Sequence, residues 1–289
     1  MRVERPSEVQ VFLDRAGAFL ERHEAEHNLL FAITAGLARN PELFIEPPLF
    51  AVAIDDDGAV VGAAVQTPPR QLVLSQANVG IERVVTEALE DALGSIELPG
   101  VLGPPAAAEA FARRWVADRP GRQMERGLRE RIYRLTAVIP PRPAPGAARI
   151  GGTADRGLVA DWLRAFALEA LGESMDDAPV FADRWAARLG GRQMWLWEVD
   201  GGVVSMAGIS GPTPHGIRVG PVYTPPDRRR RGYAGALVAT ASQAELDAGR
   251  QFVFLFTDLA NPTSNHVYQA IGYEPVADVD QWIFRSGPG

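Results

Sequence analysis

Apolar positions along this chain fall into two helix-then-hairpin runs, one in each half. Leu29, Leu30, Ile33 and Leu37 share one helical face, so residues 7–27 and 28–39 predict two helices, the second ended by Asn40-Pro41. Leu49 to Ile54 and Ala59 to Thr67 are apolar runs on either side of Asp55-Asp56-Asp57-Gly58, and the Asp-Gly pair suits a tight turn. A hairpin is expected there. Residues 79–93 then predict a helix, 96–102 a strand, 105–118 a helix, and Arg131 to Val138 a strand.

Pro140-Pro141-Arg142-Pro143-Ala144-Pro145-Gly146-Ala147-Ala148 breaks the pattern, and its composition favours an extended, poorly packing connector. Beyond it the order repeats. Helices are expected over 155–172 and 178–189, followed by a hairpin from Gln193–Val199, Asp200-Gly201-Gly202 and Val203–Ile209. Asp57-Gly58-Ala59-Val60-Val61 overlays Asp200-Gly201-Gly202-Val203-Val204 at an offset of 143, and Pro69 and Pro212 follow at the same offset. The chain thus reads as a tandem of two similar α/β (α+β) folds with mixed sheets: residues 1–139, a linker at 140–148, and residues 149–289.

The halves part company after the hairpins. In the first, Arg70 to Gly80 carries no arginine-glycine turn. In the second, an apolar strand over 217–223 is closed by Pro225-Pro226 and followed by Arg228-Arg229-Arg230-Arg231-Gly232. From Tyr233, Leu237, Ala241, Ala244 and Leu246 mark a helix up to Gly249. A helix opening in a glycine-bearing, cationic turn offers unpaired N–H groups and its positive dipole end at one point, which is an anion site. Gly232 removes a Cβ where a phosphate would approach, and Ala234 and Gly235 keep the first turn narrow. A diphosphate is the expected ligand, yet neither the mononucleotide nor the dinucleotide glycine motif occurs.

Arg229-Arg230-Arg231-Gly232-Tyr233-Ala234 instead resembles the Gln/Arg-x-x-Gly-x-Gly/Ala signature of the GCN5-related N-acetyltransferases, the GNAT superfamily. There this turn holds the pyrophosphate of acetyl-coenzyme A. A second string lies downstream. Phe252 to Thr257 is a continuous apolar run, as for a strand buried on both faces. It leads to Asn261, Ser264, Asn265 and Tyr268, then Gly272-Tyr273. Asn261 followed by Pro262 is also how many helices begin. The whole string resembles the GNAT segment in which an asparagine meets the pantetheine arm and a tyrosine faces the sulfur. Both motifs occur in family order, and the resemblance covers residues 148–285 well and the first half only by architecture.

Composition narrows the function classes. Net charge is −7, against a general nucleic-acid binder, and no apolar run of membrane-spanning length occurs. The N-terminus lacks the apolar segment of a secretory signal. There is no cysteine, which removes disulfides, thiolate metal sites and a cysteine nucleophile, and a reducing cytoplasm is compatible. All 29 cationic residues are arginine. His23 and His27 are spaced i, i+4 but have no third ligand, and read as a surface helix pair.

The resemblance implies an acetyl-CoA-dependent N-acetyltransferase acting on a small-molecule or N-terminal amine by direct transfer, with no metal. The backbone of Val222, Tyr223 and Thr224 would line the pantetheine, and the Val222 N–H would polarise the thioester carbonyl. Arg229, Arg230, Arg231, Gly232, Tyr233, Ala234 and Gly235 would grip the diphosphate, with Asn261, Ser264 and Asn265 beside the arm. A splay between the strand ending at Tyr223 and the one starting at Phe252 would admit the thioester, and Tyr268 would protonate the sulfur. Glu169, Glu173, Asp176, Asp177 and Asp183 fall where the family roofs its acceptor; Glu173 is carried forward among the catalytic residues, and His215 is a further candidate base. Trp195 and Trp197 share one strand face and read as core, with acceptor stacking as the alternative. The other functions open are transfer of a longer acyl group or transfer to a hydroxyl, and a non-catalytic acyl-CoA sensor. The acceptor's identity and the oligomeric state are not legible.

Overall fold

The computed structural model describes residues 1–39, 46–78, 80, 82–93, 96–117, 119–170, 185, 189 and 193–287. The chain divides into two compact units. One comprises 1–132, 211–214 and 276–289; the other comprises 133–210 and 215–275. This division does not follow the Pro-rich stretch at 140–148, which lies wholly inside the second unit.

The first unit contains β1 (Arg2–Glu4), α1 (Val9–Glu21), α2 (Asn28–Arg39), β2 (Leu49–Ile54), β3 (Val60–Gln66), β4 (Leu72–Leu74), α3 (Glu82–Leu93), β5 (Gly100–Gly103) and α4 (Pro105–Ala117). Most of β6 (Arg122–Leu135) and of β12 (Glu274–Ser286) belong to it as well. Its strands run in the order β1-β2-β3-β4-β5-β12-β6. The expected hairpin is β2 with β3, from Leu49↔Gln66 to Ile54↔Val60. Alternate residues of β2 feed two cores. Phe50, Val52 and Ile54 meet Phe12, Leu20 and Phe31, whereas Ala51 and Ala53 join Leu89, Phe111 and Trp115. Both faces are covered, which is why β2 reads as an unbroken apolar run.

β6 starts nine residues before the expected Arg131. Its early part is polar, and its cations have partners within the unit. Arg131 Nε reaches Asp278 at 2.6 Å, Arg129 Nε reaches Asp280 at 3.4 Å, and Arg126 lies over the Trp282 ring. A strand satisfied by cross-strand ion pairs carries no apolar alternation to read.

The second unit contains β7 (Ala147–Ile150), α5 (Arg156–Ala170), β8 (Met194–Val199), β9 (Gly202–Ser210), β10 (Gly216–Tyr223), α6 (Tyr233–Asp247), β11 (Phe252–Asp258) and α7 (Pro262–Ala270). Strand order is β11-β10-β9-β8-β7. One face packs on α6 and α7 through Leu237, Val253, Leu255 and Tyr273; the other packs on α5 through Val159, Leu163, Leu196 and Met206. The expected second hairpin is β8 with β9. The helix expected over 178–189 falls mainly outside the described residues.

The connector expected at 140–148 is corrected at its C-terminal end. Ala147 and Ala148 pair with Glu198 and Trp197 as part of β7, and the Pro145 carbonyl accepts the Trp197 indole N–H at 2.7 Å. Ala144 packs against the α6 core. The earlier part agrees with the expectation: residues 140–146 form no helix or strand, and Pro140, Arg142, Pro143, Pro145 and Gly146 are exposed. Arg149 then clamps β7 to both Asp155 and Glu198 at 2.6–2.8 Å.

The surface reading of the histidine pair is also corrected for one member. The His23 side chain is 58% exposed, whereas His27 is only 2% exposed. Nδ1 of His27 lies 2.9 Å from the Leu20 carbonyl oxygen, and Nε2 accepts from the Gln76 N–H at 3.0 Å. That pattern fixes a neutral ring, and burial holds its pKa down at about 4 from an ordinary 6.5. The unfolded chain therefore takes up the proton more readily than the folded one. This contribution to stability is complete above pH 6.5 and is lost as pH falls towards 4, a loss of roughly 3 kcal/mol. Chemical unfolding at pH 7 and pH 4.5 measures it: wild type should lose roughly 2–3 kcal/mol more than His27→Gln between the two, and equal losses would contradict the assignment.

Candidate functional site

The site is built at the C-terminal end of β10. β10 pairs with β9 through Val219↔Ile209 and then Val222↔Ala207, so one extra residue bulges out at Gly220-Pro221. Proline brings no N–H to a ladder, and Gly220 sits at φ 141°, a conformation side chains rarely allow. The parallel ladder to β11 runs from Gly216↔Phe252 to Arg218↔Phe254 and ends there, although β10 continues to Tyr223 and β11 to Asp258. The expected splay between these strands is thus present, starting where the bulge begins. Beyond the bulge, β10 is held from the β9 side. Buried Ser205 places its Oγ 3.2 Å from the Tyr223 carbonyl oxygen and 2.8 Å from Thr224 Oγ1.

A 3-10 turn at Pro226–Arg228 follows, and Arg230 and Gly232 both adopt positive φ, 62° and 84°. Gly232 is the N-cap of α6 and caps it with no side chain. The first helical hydrogen bond is from the Ala236 N–H to the Gly232 carbonyl at 3.0 Å, so the amides of Tyr233, Ala234 and Gly235 precede it. Arg230, Arg231 and Gly232 are exposed around these amides, whereas the Tyr233 ring is buried in the core. The arrangement fits an anion at the helix start, with local positive charge from main chain and side chains together.

α7 lies against this turn. A Cβ built on Gly235 would stand 3.5 Å from Val267 Cγ1, ordinary contact, so the first turn of α6 touches the residue before Tyr268. Asn261 caps α7, accepting from the Ser264 N–H at 3.1 Å, with Pro262 next. Asn265 is a bracket. Its Nδ2 donates to the carbonyls of Asp258 and Asn261 at 2.9 and 2.7 Å, and its Oδ1 accepts from the Tyr133 hydroxyl at 2.8 Å. All of its amide capacity toward one side is therefore spent on holding the β11–α7 turn. Tyr133 could not be paired with Asn265 from sequence, because 132 positions separate them and no local pattern links them.

Tyr268 is 9% exposed and stacks edge-on against Tyr273 at 6.0 Å. Burial alone pushes its phenol up to about 12. The group therefore stays protonated at neutral pH. Full proton transfer from it to a thiolate of ordinary pKa would be uphill by roughly 5 kcal/mol, so its first contribution is as a hydrogen-bond donor to developing charge.

On the opposite face of β10, the Tyr223 ring lies 6.0 Å from Trp162 of α5 and 5.8 Å from the Arg229 guanidinium carbon. Arg229 donates through Nε to the Thr224 carbonyl at 2.9 Å and pairs with Glu169 at 2.7 Å. Burial and the nearby Glu169 carboxylate raise the Tyr223 phenol above its usual range, and the bond to Glu169 does the same for Arg229.

Other candidates take different places. Trp197 is core, and Trp195 packs on the same cluster. His215 is exposed immediately before β10, seven residues and about 23 Å of strand from Val222, too far to serve a carbonyl held there. Glu173, Asp176, Asp177 and Asp183 lie outside the described residues. In the first unit the helix corresponding to α6 is α3, and Glu82 in its first turn accepts from the Gly80 N–H at 2.8 Å. The first turn of α3 thus carries an acidic side chain, whereas that of α6 carries none. Among the described residues no group of side chains could hold a metal ion, and no helix is long and apolar enough to cross a membrane.

Comparison with known proteins agrees with this geometry. Residues 158–273 match the model of the acetyltransferase (GNAT) family. No curated protein is similar in sequence at a significant level. Among solved structures, a Drosophila protein is 14% identical with a TM-score of 0.66, covering 99% of each chain. A GNAT-family acetyltransferase from Colwellia psychrerythraea is 10% identical, TM-score 0.55, covering 99% of this chain and 100% of its own. A tandem GNAT protein from the clavulanic acid biosynthesis pathway is 17% identical, TM-score 0.52, covering 100% of both. At such identities the likeness is one of fold. Residues 158–273 thus carry an acetyltransferase (GNAT) family domain, and the chain as a whole shares its fold with a tandem GNAT protein.

The bracket at Asn265 has a measurable weight. Asn265→Ala removes three hydrogen bonds and leaves the Tyr133 hydroxyl without its acceptor, which should cost about 2–3 kcal/mol and lower the melting temperature by several degrees. An unchanged melting temperature would show that α7 is held by other means.

Proposed function

We propose that the second unit binds acetyl-CoA at the α6 turn and transfers its acetyl group directly to the amine of a small molecule or a chain N-terminus. The observation that carries this reading is the open amide turn at Gly232, packed through Gly235 and Val267 on the helix that bears Tyr268. Acetyl-CoA supplies the activated acyl group. Tyr233, Ala234 and Gly235 offer backbone N–H groups to the diphosphate, and Arg230 and Arg231 add charge at the mouth. The splayed end of β10 positions the Val222 backbone at the carbonyl, where an N–H donor stabilises developing negative charge. Tyr268 offers its proton towards the sulfur, and its burial keeps water from competing. The first unit, with Glu82 at the start of α3, binds no coenzyme in this reading, because a carboxylate there repels a diphosphate.

A second reading, a non-catalytic acyl-CoA sensor, draws on one observation. A phenol pushed up to about 12 is a weak acid for a departing thiolate. Calorimetry and thiol release separate the two. Wild type should bind one acetyl-CoA per chain and release thiol only when primary amines are present. Tyr268→Phe, isosteric within its apolar cluster, should lower turnover at least about tenfold while leaving acetyl-CoA affinity nearly unchanged. Binding without amine-dependent thiol would favour the sensor, and no binding would reject both.

A further inference from the structure

Two demands meet at Arg229. It is the first residue of the turn read as a diphosphate cradle, yet its terminal nitrogen lies 2.7 Å from the Glu169 carboxylate. Glu169 is the penultimate residue of α5 and falls seven positions, two helical turns, after Trp162. Both therefore lie on the α5 face that meets Tyr223. The Tyr223 ring stands between the Trp162 ring at 6.0 Å and the Arg229 guanidinium at 5.8 Å. Two aromatic rings, a carboxylate and a cation are thus assembled beside the end of β10, on the face opposite Tyr268.

We propose that Glu169 is the carboxylate that recruits a cationic amine acceptor, and that Arg229 masks it until a diphosphate at the Gly232 turn claims the guanidinium. The proposal rests on the coenzyme reading given above. An ion pair whose side chains are 39% and 51% exposed is weak, so exchanging it costs little. A diphosphate carries more charge than one carboxylate and offers guanidinium-matched oxygens, so it wins the competition. Once it is bound, its charge and that of Glu169 repel, which turns the carboxylate away from the turn. The uncovered carboxylate then lies next to the Trp162 and Tyr223 rings, a combination that suits a primary ammonium group on a small, partly aromatic or aliphatic body.

Calorimetry with coenzyme A tests the masking. Glu169→Gln should tighten coenzyme A two- to fivefold in the wild-type background and by a clearly smaller factor in an Arg229→Gln background, where only the direct repulsion is relieved. No tightening, or equal tightening in both backgrounds, overturns the mask. Failure of wild type to bind coenzyme A would instead strike the coenzyme reading itself. With 2-phenylethylamine and 1,4-diaminobutane as probes, at least one should bind coenzyme-saturated wild type two- to fivefold more tightly than coenzyme-free protein, because the same mask is removed in both cases, and lose that gain in Glu169→Gln. Equal affinities for both amines with and without coenzyme, or a gain that survives the substitution, overturns the recruitment.

Discussion

Backbone hydrogen-bonding groups must find partners, and the second unit is shaped by the places where its described residues do not supply them. The bulge at Gly220-Pro221 adds a residue to β10 with respect to β9, and the ladder to β11 stops at Arg218↔Phe254. A few residues later α6 opens at a glycine that has no side chain with which to cap it. Polar main chain is therefore exposed at two neighbouring points, the end of a split strand pair and the start of a helix. Nearby contacts hold these groups in place: Ser205 fixes the end of β10, Asn265 fixes the turn before α7, and Val267 of α7 lies against the first turn of α6 at Gly235.

The two faces of β10 divide the labour. Val222 and Tyr268 belong to the apolar cluster under α6 and α7, where burial keeps a phenol neutral. Tyr223 belongs to the α5 side, where a carboxylate and a guanidinium stand beside aromatic rings. A strand's alternation thus separates an apolar side from a side that carries an ion pair. In the first unit the corresponding helix opens on Glu82, whose carboxylate accepts from the Gly80 N–H, so the two helix starts differ in charge.

Much of this was legible from local pattern. The Asp-Gly hairpins, the arginine-glycine turn and the Asn-Pro start of α7 each depend on residues adjacent in sequence, and such signals survive without tertiary knowledge. The splay was expected only through family resemblance, and the ladder shows it. What escaped depended on distant partners. β6 is a polar strand whose arginines are matched by Asp278 and Asp280 about 150 positions away. His27 reads as surface by spacing, but is buried because Leu20 and Gln76 supply both of its ring nitrogens. The 140–148 stretch reads as a linker by composition, but its end is drawn into the sheet by the Trp197 indole and by pairing with β8. Tyr133, the outer partner of Asn265, carried no motif at all. Of the carboxylates expected near the acceptor, Glu169 has a described partner, and that partner is the signature arginine itself.

The claim on which the rest depends is that main-chain amides at the start of α6 hold a coenzyme diphosphate. Amide resonances of 15N-labelled protein, followed during titration with coenzyme A, test it directly. The largest shifts should fall on Gly232, Tyr233, Ala234 and Gly235, with saturation at one equivalent. Large shifts confined to other segments, with those four amides unmoved at saturation, would contradict it.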